Sequence, residues 1–139
     1  MFYNCSSLIR TPAILPATEL AYSCYGSMFG ICESLKTVPI LPAQYSDPYC
    51  YDRMFYHCTS LEVLPAIRPT GFRVGCYYGM FMYCPNIKLS ETQTDEYQYE
   101  FRIPASGKAG SLAGQCVDDM FFNTGGTFTG TPEVEKTYY

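Results

Sequence analysis

The stretch Met28–Leu35 reads MFGICESL, and it has near copies at Met1–Leu8, MFYNCSSL, and at Met54–Leu61, MFYHCTSL. The Met-Phe pair recurs at Met80 and Met120, so successive units are 27, 26, 26 and 40 residues apart. A repeat in this range, with fixed apolar columns, is typical of a solenoid in which each unit covers its neighbour's apolar face. The sequence therefore predicts three regular units followed by one stretched unit.

The aligned units contain columns of like residues. The eight cysteines fall into two of these columns, one with Cys5, Cys32, Cys58 and Cys84 and the other with Cys24, Cys50, Cys76 and Cys116. A leucine-like column and a proline column follow the first set, at Leu8, Leu35, Leu61 and Ile87 and at Pro12, Pro39 and Pro65. So many aligned columns are not expected by chance, and we expect Phe, Leu, Met and Cys to form the core.

Each unit is expected to contain a helical segment and a short strand. In the segment Pro16–Phe29, apolar residues recur every four positions, which favours a short helix or helical turn. The stretches Leu8–Pro12, Leu35–Pro39 and Leu61–Pro65 are interpreted as short parallel strands. Because proline has no N–H to donate, each strand should pair over only about two or three residues. The predicted fold class is an α/β repeat, a right-handed solenoid of leucine-rich-repeat type with about four to five turns.

The last third of the chain departs from the regular unit. From Tyr97 to Ile103, aromatic and apolar residues alternate with polar ones, which predicts a half-buried strand in an inserted hairpin. Residues 107–122 return to a helix-like stripe, and Gly125-Gly126 is interpreted as a tight turn before a final strand at 127–129.

We therefore divide a single domain into solenoid repeats at 1–90, with units starting at 1, 28, 54 and 80, and a stretched last unit with a C-terminal cap at 91–139. No matching cap is expected before residue 1. The chain is predicted to be a fragment of a longer protein, with an N-terminal face able to stack on further repeats or on another subunit.

Composition excludes several classes of function. The 139-residue chain has a net charge of −4, which gives no electrostatic reason to bind nucleic acid. With 47% apolar and only 16% charged residues, it is expected to fold rather than remain disordered. No apolar run approaches the roughly 20 residues of a membrane helix, and no signal peptide is recognised within the chain.

The repeat phrases MFYNCSSL, MFGICESL and MFYHCTSL resemble those of BspA-like bacterial leucine-rich repeats, in which an aromatic residue precedes Cys-x-x-Leu and a short strand ends at proline. The resemblance covers residues 1 to about 90 well, although the units are longer than usual for that family. It implies a non-catalytic adhesion or recognition role, extracellular or on a cell surface, or on a phage virion. It brings no catalytic residue and no cofactor.

The cysteines allow two interpretations. Neighbouring strands are close enough for disulfides between units, whereas free cysteine also serves as a small apolar residue in a repeated core site. The spacing lacks the close cysteine pairs of zinc sites, so no metal is expected. The only histidine, His57, precedes Cys58, but adjacent side chains on an extended chain diverge, so no catalytic dyad is expected and the protein is predicted not to be an enzyme.

Binding residues are expected where exposed positions vary between units. The candidates at such positions are Arg10, Lys36 and Glu62, and Tyr97 and Tyr99 are added as exposed aromatic residues able to stack on a glycan or protein. The tyrosines Tyr25, Tyr51 and Tyr77 are instead expected to pack between units with their hydroxyls at the rim. The predicted function is recognition or adhesion by binding a protein or a surface glycan, with no membrane insertion. The alternative is a purely structural spacer or assembly domain of a larger surface or tail protein.

Overall fold

The computed structural model describes residues 1–43, 47–67, 72–104 and 116–139. These residues contain two small sheets of two-residue strands. The strand β1 (Lys88–Leu89) pairs in parallel with β3 (Gly125–Gly126), and β2 (Phe101–Arg102) pairs antiparallel with β4 (Thr137–Tyr138). Four runs of consecutive turns, here named the turn segments, cover residues 22–31, 48–57, 74–83 and 118–123.

The first turn segment overlaps the helix expected at Pro16–Phe29, and it is not helical. Alternate residues of each turn segment donate to the carbonyl three positions back, as the Met54 N–H does to Tyr51. The residues between them donate sideways to the next segment, as the Phe55 N–H does to the Met80 carbonyl at 2.9 Å. An α-helix instead directs every N–H to its own chain four residues back. Successive units are thus joined by a ladder of backbone hydrogen bonds.

A left-handed residue recurs at every fourth position of the turn segments. In the second segment these residues are Tyr49, Arg53 and His57, with φ of 57°, 49° and 55°. Each is the third residue of a turn closed by a hydrogen bond between its first and fourth residues, the position where type II turns require positive φ. This geometry places Cys50, Met54, Cys58, and with them Tyr51 and Phe55, on the buried side of the segment.

A column of stacked phenylalanine rings crosses the units. Successive centroids of Phe2, Phe29, Phe55, Phe81 and Phe121 lie 5.6, 5.7, 5.5 and 5.6 Å apart, and the planes are nearly parallel. Beyond the last ring the geometry changes, because Phe101 and Phe128 meet Phe121 edge-on. The C-terminal residues thereby cover the end of this column.

A second column consists of Tyr25, Tyr51 and Tyr77, with centroids 5.9 and 5.4 Å apart. The expected packing between units is therefore found. The expected exposure of the hydroxyls is not found at Tyr51, whose hydroxyl oxygen is buried and has no hydrogen-bond partner. Burial raises the pKa of the Tyr51 and Tyr77 hydroxyls well above the usual range, and at Tyr77 the neighbouring Tyr51 hydroxyl adds to the effect.

The strands expected at residues 8–12, 35–39 and 61–65 are not formed. In these stretches few backbone contacts join the first two units. The Lys36 N–H donates to the Ile9 carbonyl, and a parallel bridge joins Ile14 to Ile40. The fourth unit differs because Glu91 stands where the others have a proline, and there β1 does form, directly after Ile87. The paired residues of β1 end two positions before Glu91.

Two expectations for the last third are corrected. The expected hairpin around 97–103 is not closed locally, because β2 takes its partner β4 from the C-terminus. Gly125-Gly126 is a strand rather than a tight turn, and the expected strand at 127–129 is reduced to a bridge between Phe128 and Leu89. A Cβ on Gly125 would collide with the Pro85 carbonyl oxygen, so close pairing with β1 explains this glycine. The helix-like stripe expected at 107–122 lies largely outside the described residues.

In the parts of the chain that the structure describes, there is no helix with the length and apolar character needed to span a membrane.

Candidate functional site

A groove of about 330 Å³ opens on the exposed side of the turn segments. Its lining comes from three consecutive segments, with Tyr49, Asp52, Arg53, Val74, Gly75, Tyr78 and Asp118. The ladder of backbone hydrogen bonds fixes these segments side by side, as the Arg53 N–H donates to the Tyr78 carbonyl at 2.8 Å. Side chains on this side are therefore presented by a connected backbone framework rather than by a free loop.

Within the groove, the Arg53 guanidinium lies over the ring of Tyr78. The guanidinium carbon of Arg53 lies 5.0 Å from the centroid of the Tyr78 ring, within the range of a cation–π contact. The Tyr78 hydroxyl donates to Asp119 Oδ2 at 3.5 Å. Arg53 Nη1 also lies 3.7 Å from Asp52 Oδ2. These contacts orient one positive charge and one phenol ring beside acceptor oxygens.

Asp52 has one oxygen that the protein leaves without a partner. Its Oδ1 atom is buried and accepts no hydrogen bond, while Oδ2 faces Arg53. Burial raises the pKa of the Asp52 carboxyl, and the Arg53 charge partly offsets that effect. Buried polar atoms normally have a hydrogen-bond partner, so this unpaired oxygen is an energetic cost beside the groove.

Tyr49 forms a wall of the groove because the next segment has no side chain opposite it. A Cβ added to Gly75 would overlap Tyr49 Cε1, and Gly75 itself has φ of +62°. On its other side, Tyr49 meets the ring of Tyr22 edge-on at 5.9 Å. The ring therefore lies over Gly75, between its neighbours in adjacent units.

Sequence reasoning did not identify this groove. Its residues occupy columns that vary between units, such as Gly26, Asp52, Tyr78 and Asp118, beside invariant core columns. That variation was a usable signal. The predicted helix hides this signal. On a helix the variable positions would form a solvated face, whereas in the turn segments they line a groove.

A second cavity, of about 380 Å³, contains one of the residues predicted to bind. Tyr99, 60% exposed, lines it together with Pro65, Ala66, Ile67, Glu100, Phe101, Arg102, Pro104 and Thr137. Tyr97 does not line this cavity; it is half-buried, and its N–H donates to the Thr94 carbonyl and hydroxyl. The predicted pair of tyrosines is therefore divided between two environments.

The other predicted binding residues lie on a different surface. Arg10, Lys36 and Glu62 are all exposed and line neither cavity. Arg10 and Lys36 belong to adjacent units, since the Lys36 N–H donates to the carbonyl of Ile9. Among the described residues, no hydrogen bond or ion pair links the side chains of these three residues.

The His57 and Cys58 side chains have separate partners. The Cys58 thiol is fully buried and donates to the Phe29 carbonyl at 3.1 Å. His57 Nδ1 lies 3.7 Å from Glu33 Oε1. Burial raises the pKa of the Cys58 thiol, so the reactive thiolate is disfavoured.

The same thiol contact recurs through the first cysteine column. Cys32 donates to Phe2 at 3.0 Å, Cys58 to Phe29 at 3.1 Å and Cys84 to Phe55 at 3.1 Å. Each thiol thus reaches the phenylalanine carbonyl of the preceding unit, which explains why a small side chain with a donor recurs there.

In the second column one disulfide is present, between Cys76 and Cys116, and the other six cysteines are free. The disulfide interpretation therefore applies to one pair of cysteines and the core-site interpretation to the four buried free ones, whereas exposed Cys5 and Cys24 fit neither.

Searches against protein-family models, curated proteins and solved structures found no match to this chain. Within the described ranges, no group of three or more His, Cys, Asp or Glu side chains is placed to hold a metal ion.

Proposed function

We propose that the chain is a non-enzymatic recognition or adhesion module, a solenoid of leucine-rich-repeat type that binds a protein or a surface glycan at a bacterial surface or on a phage virion. The groove formed by Tyr49, Asp52, Arg53 and Tyr78 is the binding site in this proposal. The observation that carries the proposal is the Arg53 guanidinium over the Tyr78 ring, inside a groove that Tyr49 and Asp52 also line.

The groove combines the interactions that polar ligands require. Tyrosine rings provide flat apolar surface, while Arg53 donates and Asp52 accepts hydrogen bonds. The volume of about 330 Å³ lies at the lower end of the range for ligand pockets, which suits one sugar residue or one peptide side chain rather than a large cofactor. A hydroxyl or amide N–H on such a ligand can donate to the Asp52 carboxylate where it lines the groove.

The test is binding of the whole chain to a glycan array and to an array of immobilised peptides. Arg53→Ala removes the donor and the cation over Tyr78, and we expect it to weaken binding by about tenfold or more. The matched control is Arg73→Ala, because Arg73 is an exposed arginine near the groove that does not line it.

A further variant separates the groove from the surface predicted from the sequence. Arg10→Ala and Lys36→Ala should leave binding unchanged if the groove is the site. Loss of binding in these variants, with retention in Arg53→Ala, would contradict the groove and place the site on the surface that contains Arg10 and Lys36.

The structural alternative is favoured by a different observation. Apolar side chains are exposed in the first unit, with Met1 96%, Ile9 54% and Ile14 47% exposed. Exposed apolar side chains can contribute to contacts between proteins. A spacer or assembly domain would bind neither array and would self-associate through this surface, so sedimentation of Ile9→Lys and Ile14→Lys variants distinguishes the two functions.

A further inference from the structure

Four cysteines occupy equivalent positions in the repeat, within or just before successive turn segments, at Cys24, Cys50, Cys76 and Cys116. The residue after each of the first three donates its N–H to the carbonyl of the next cysteine. These bonds are 3.0 Å from Tyr25 to Cys50, 2.9 Å from Tyr51 to Cys76 and 2.8 Å from Tyr77 to Cys116. Each neighbouring pair in this column therefore has the same backbone register.

One neighbouring pair is already a disulfide. Cys76 and Cys116 are bonded, with their Cα atoms 5.1 Å apart, a separation that disulfides commonly span. With Cys76 so occupied, Cys50 has one remaining neighbour in the column, which is Cys24. The shared register therefore places Cys24 and Cys50 as a second pair suited to the same bond.

We propose that Cys24 and Cys50 are an oxidisable pair that forms a second disulfide between adjacent turn segments. The stacking of the following residues shows that the two segments are aligned side by side here, since Tyr25 and Tyr51 lie 5.9 Å apart with nearly parallel rings. The bond would join the first and second units of the column, as the existing disulfide joins the third and fourth.

The other cysteine column is a poorer site for the same chemistry. Its thiols at Cys32, Cys58 and Cys84 are fully buried and already donate hydrogen bonds to phenylalanine carbonyls. Oxidation of these three thiols would break those bonds, and only Cys5, at the end of that column, is exposed to an oxidant. Cys24, in contrast, is exposed because residues 2–4 hydrogen-bond only to the far end of its segment, at Met28 and Gly30.

The difference in exposure sets the order of the reaction. Exposed Cys24 loses its proton and attacks a small-molecule disulfide such as oxidised glutathione, forming a mixed disulfide and releasing one thiolate. Cys50 is fully buried, and burial raises the pKa of its thiol to about 12, so it reacts second and within the protein. Its sulfur, after losing a proton, attacks the Cys24 sulfur and releases the second thiolate. Two cysteine thiols are oxidised, one small-molecule disulfide is reduced, and the two protons produce two molecules of glutathione.

The test oxidises the whole chain carrying Cys5→Ser, which removes the other exposed thiol. The protein is incubated with oxidised glutathione, digested without reductant and mapped by mass spectrometry. We expect a cross-linked peptide pair containing Cys24 and Cys50, lighter by two hydrogen atoms than the separate peptides, and two glutathione molecules released per chain.

Two further variants distinguish the pair from reaction at a single cysteine. Adding Cys50→Ser should leave glutathione attached to Cys24, and adding Cys24→Ser should abolish reaction in the folded protein. The proposal is overturned if Cys24 retains glutathione when Cys50 is intact, or if Cys24 cross-links to a second chain. This outcome does not depend on ligand binding at the groove.

Discussion

At the scale of single residues, the left-handed positions of the turn segments are the main local constraint. Ile31 has φ of 58°, although branched side chains are strongly disfavoured in that region. The equivalent positions in other units include Asn4 and Asn123, and asparagine is among the residues that tolerate this conformation. We expect Ile31→Asn to raise the free energy of unfolding by about 1 kcal/mol, measured by urea denaturation.

The control for this prediction is Ile9→Asn, an exposed isoleucine outside the left-handed region. It should give no gain in stability. An Ile31→Asn variant no more stable than the natural chain would show that contacts of the isoleucine side chain outweigh the relief of backbone strain.

Gly75 is constrained by its conformation and by its neighbour. Its φ is +62°, and a Cβ there would overlap Tyr49 Cε1. Gly75→Ala should therefore lower the free energy of unfolding by about 1–2 kcal/mol from the backbone alone, and it should displace the Tyr49 ring from the groove. Urea denaturation measures the first effect and ligand binding the second. Gly30→Ala is the control, since the nearest atom to its Cβ belongs to the exposed Tyr3 side chain at 3.0 Å; an equal loss in both variants would contradict the prediction.

At the scale of the repeating element, the stacked phenylalanines connect one unit to the next. Phe55 is fully buried between Phe29 and Phe81. Phe55→Ala removes both ring contacts and leaves a cavity, so we expect it to lower the free energy of unfolding by about 3–5 kcal/mol. Thermal or urea unfolding checks this value. Phe122→Ala, at a ring that is 40% exposed, should cost much less, and a small effect at Phe55 would show that the units do not depend on this column.

The core of this element was predictable from the sequence, but its backbone was not. Cys50, Met54 and Cys58 are all fully buried, as the fourfold spacing indicates. The fourfold spacing predicts a helix, whereas in the structure it arises from turns that repeat every four residues. What the sequence does not specify is the partner of each N–H. Each of these residues has a backbone N–H, and the sequence does not indicate which of them donate within the segment. The neighbouring unit supplies the carbonyl groups that accept from alternate residues.

The strands were less predictable. The leucine and proline columns predict a strand in each of the first three units, and none forms there, whereas β1 forms in the fourth unit, where Glu91 replaces the proline. The pairing of β2 with β4 was not predictable, since it joins residues 101–102 to residues 137–138 without a local turn. The groove likewise consists of residues from three turn segments that are distant in sequence. Its lining could not be predicted without knowing that these segments lie side by side.

At the scale of the whole molecule, the buried thiols make the free energy of unfolding depend on pH in the alkaline range. Burial raises the pKa of the Cys50 and Cys84 thiols from 9.0 to about 12. Between these values the unfolded chain has lost protons that the folded chain keeps. The stability contributed by these groups is therefore complete below pH 9 and is lost as the pH rises from about 9 to about 12.

The expected result is a fall in the urea midpoint across that pH range, whereas a folded chain with ordinary thiol pKa values would show no such dependence from these groups. Cys84→Ala removes one titrating thiol and should make the decline shallower, even though the loss of the side chain lowers stability at every pH. Cys5→Ala is the matched control, because that thiol is exposed and its removal should leave the slope unchanged. An equal dependence of the urea midpoint on pH in Cys84→Ala and in the natural chain would contradict the prediction for this thiol. The decline would then be due to the buried Tyr51 and Tyr77 hydroxyls, whose pKa values are also raised by burial.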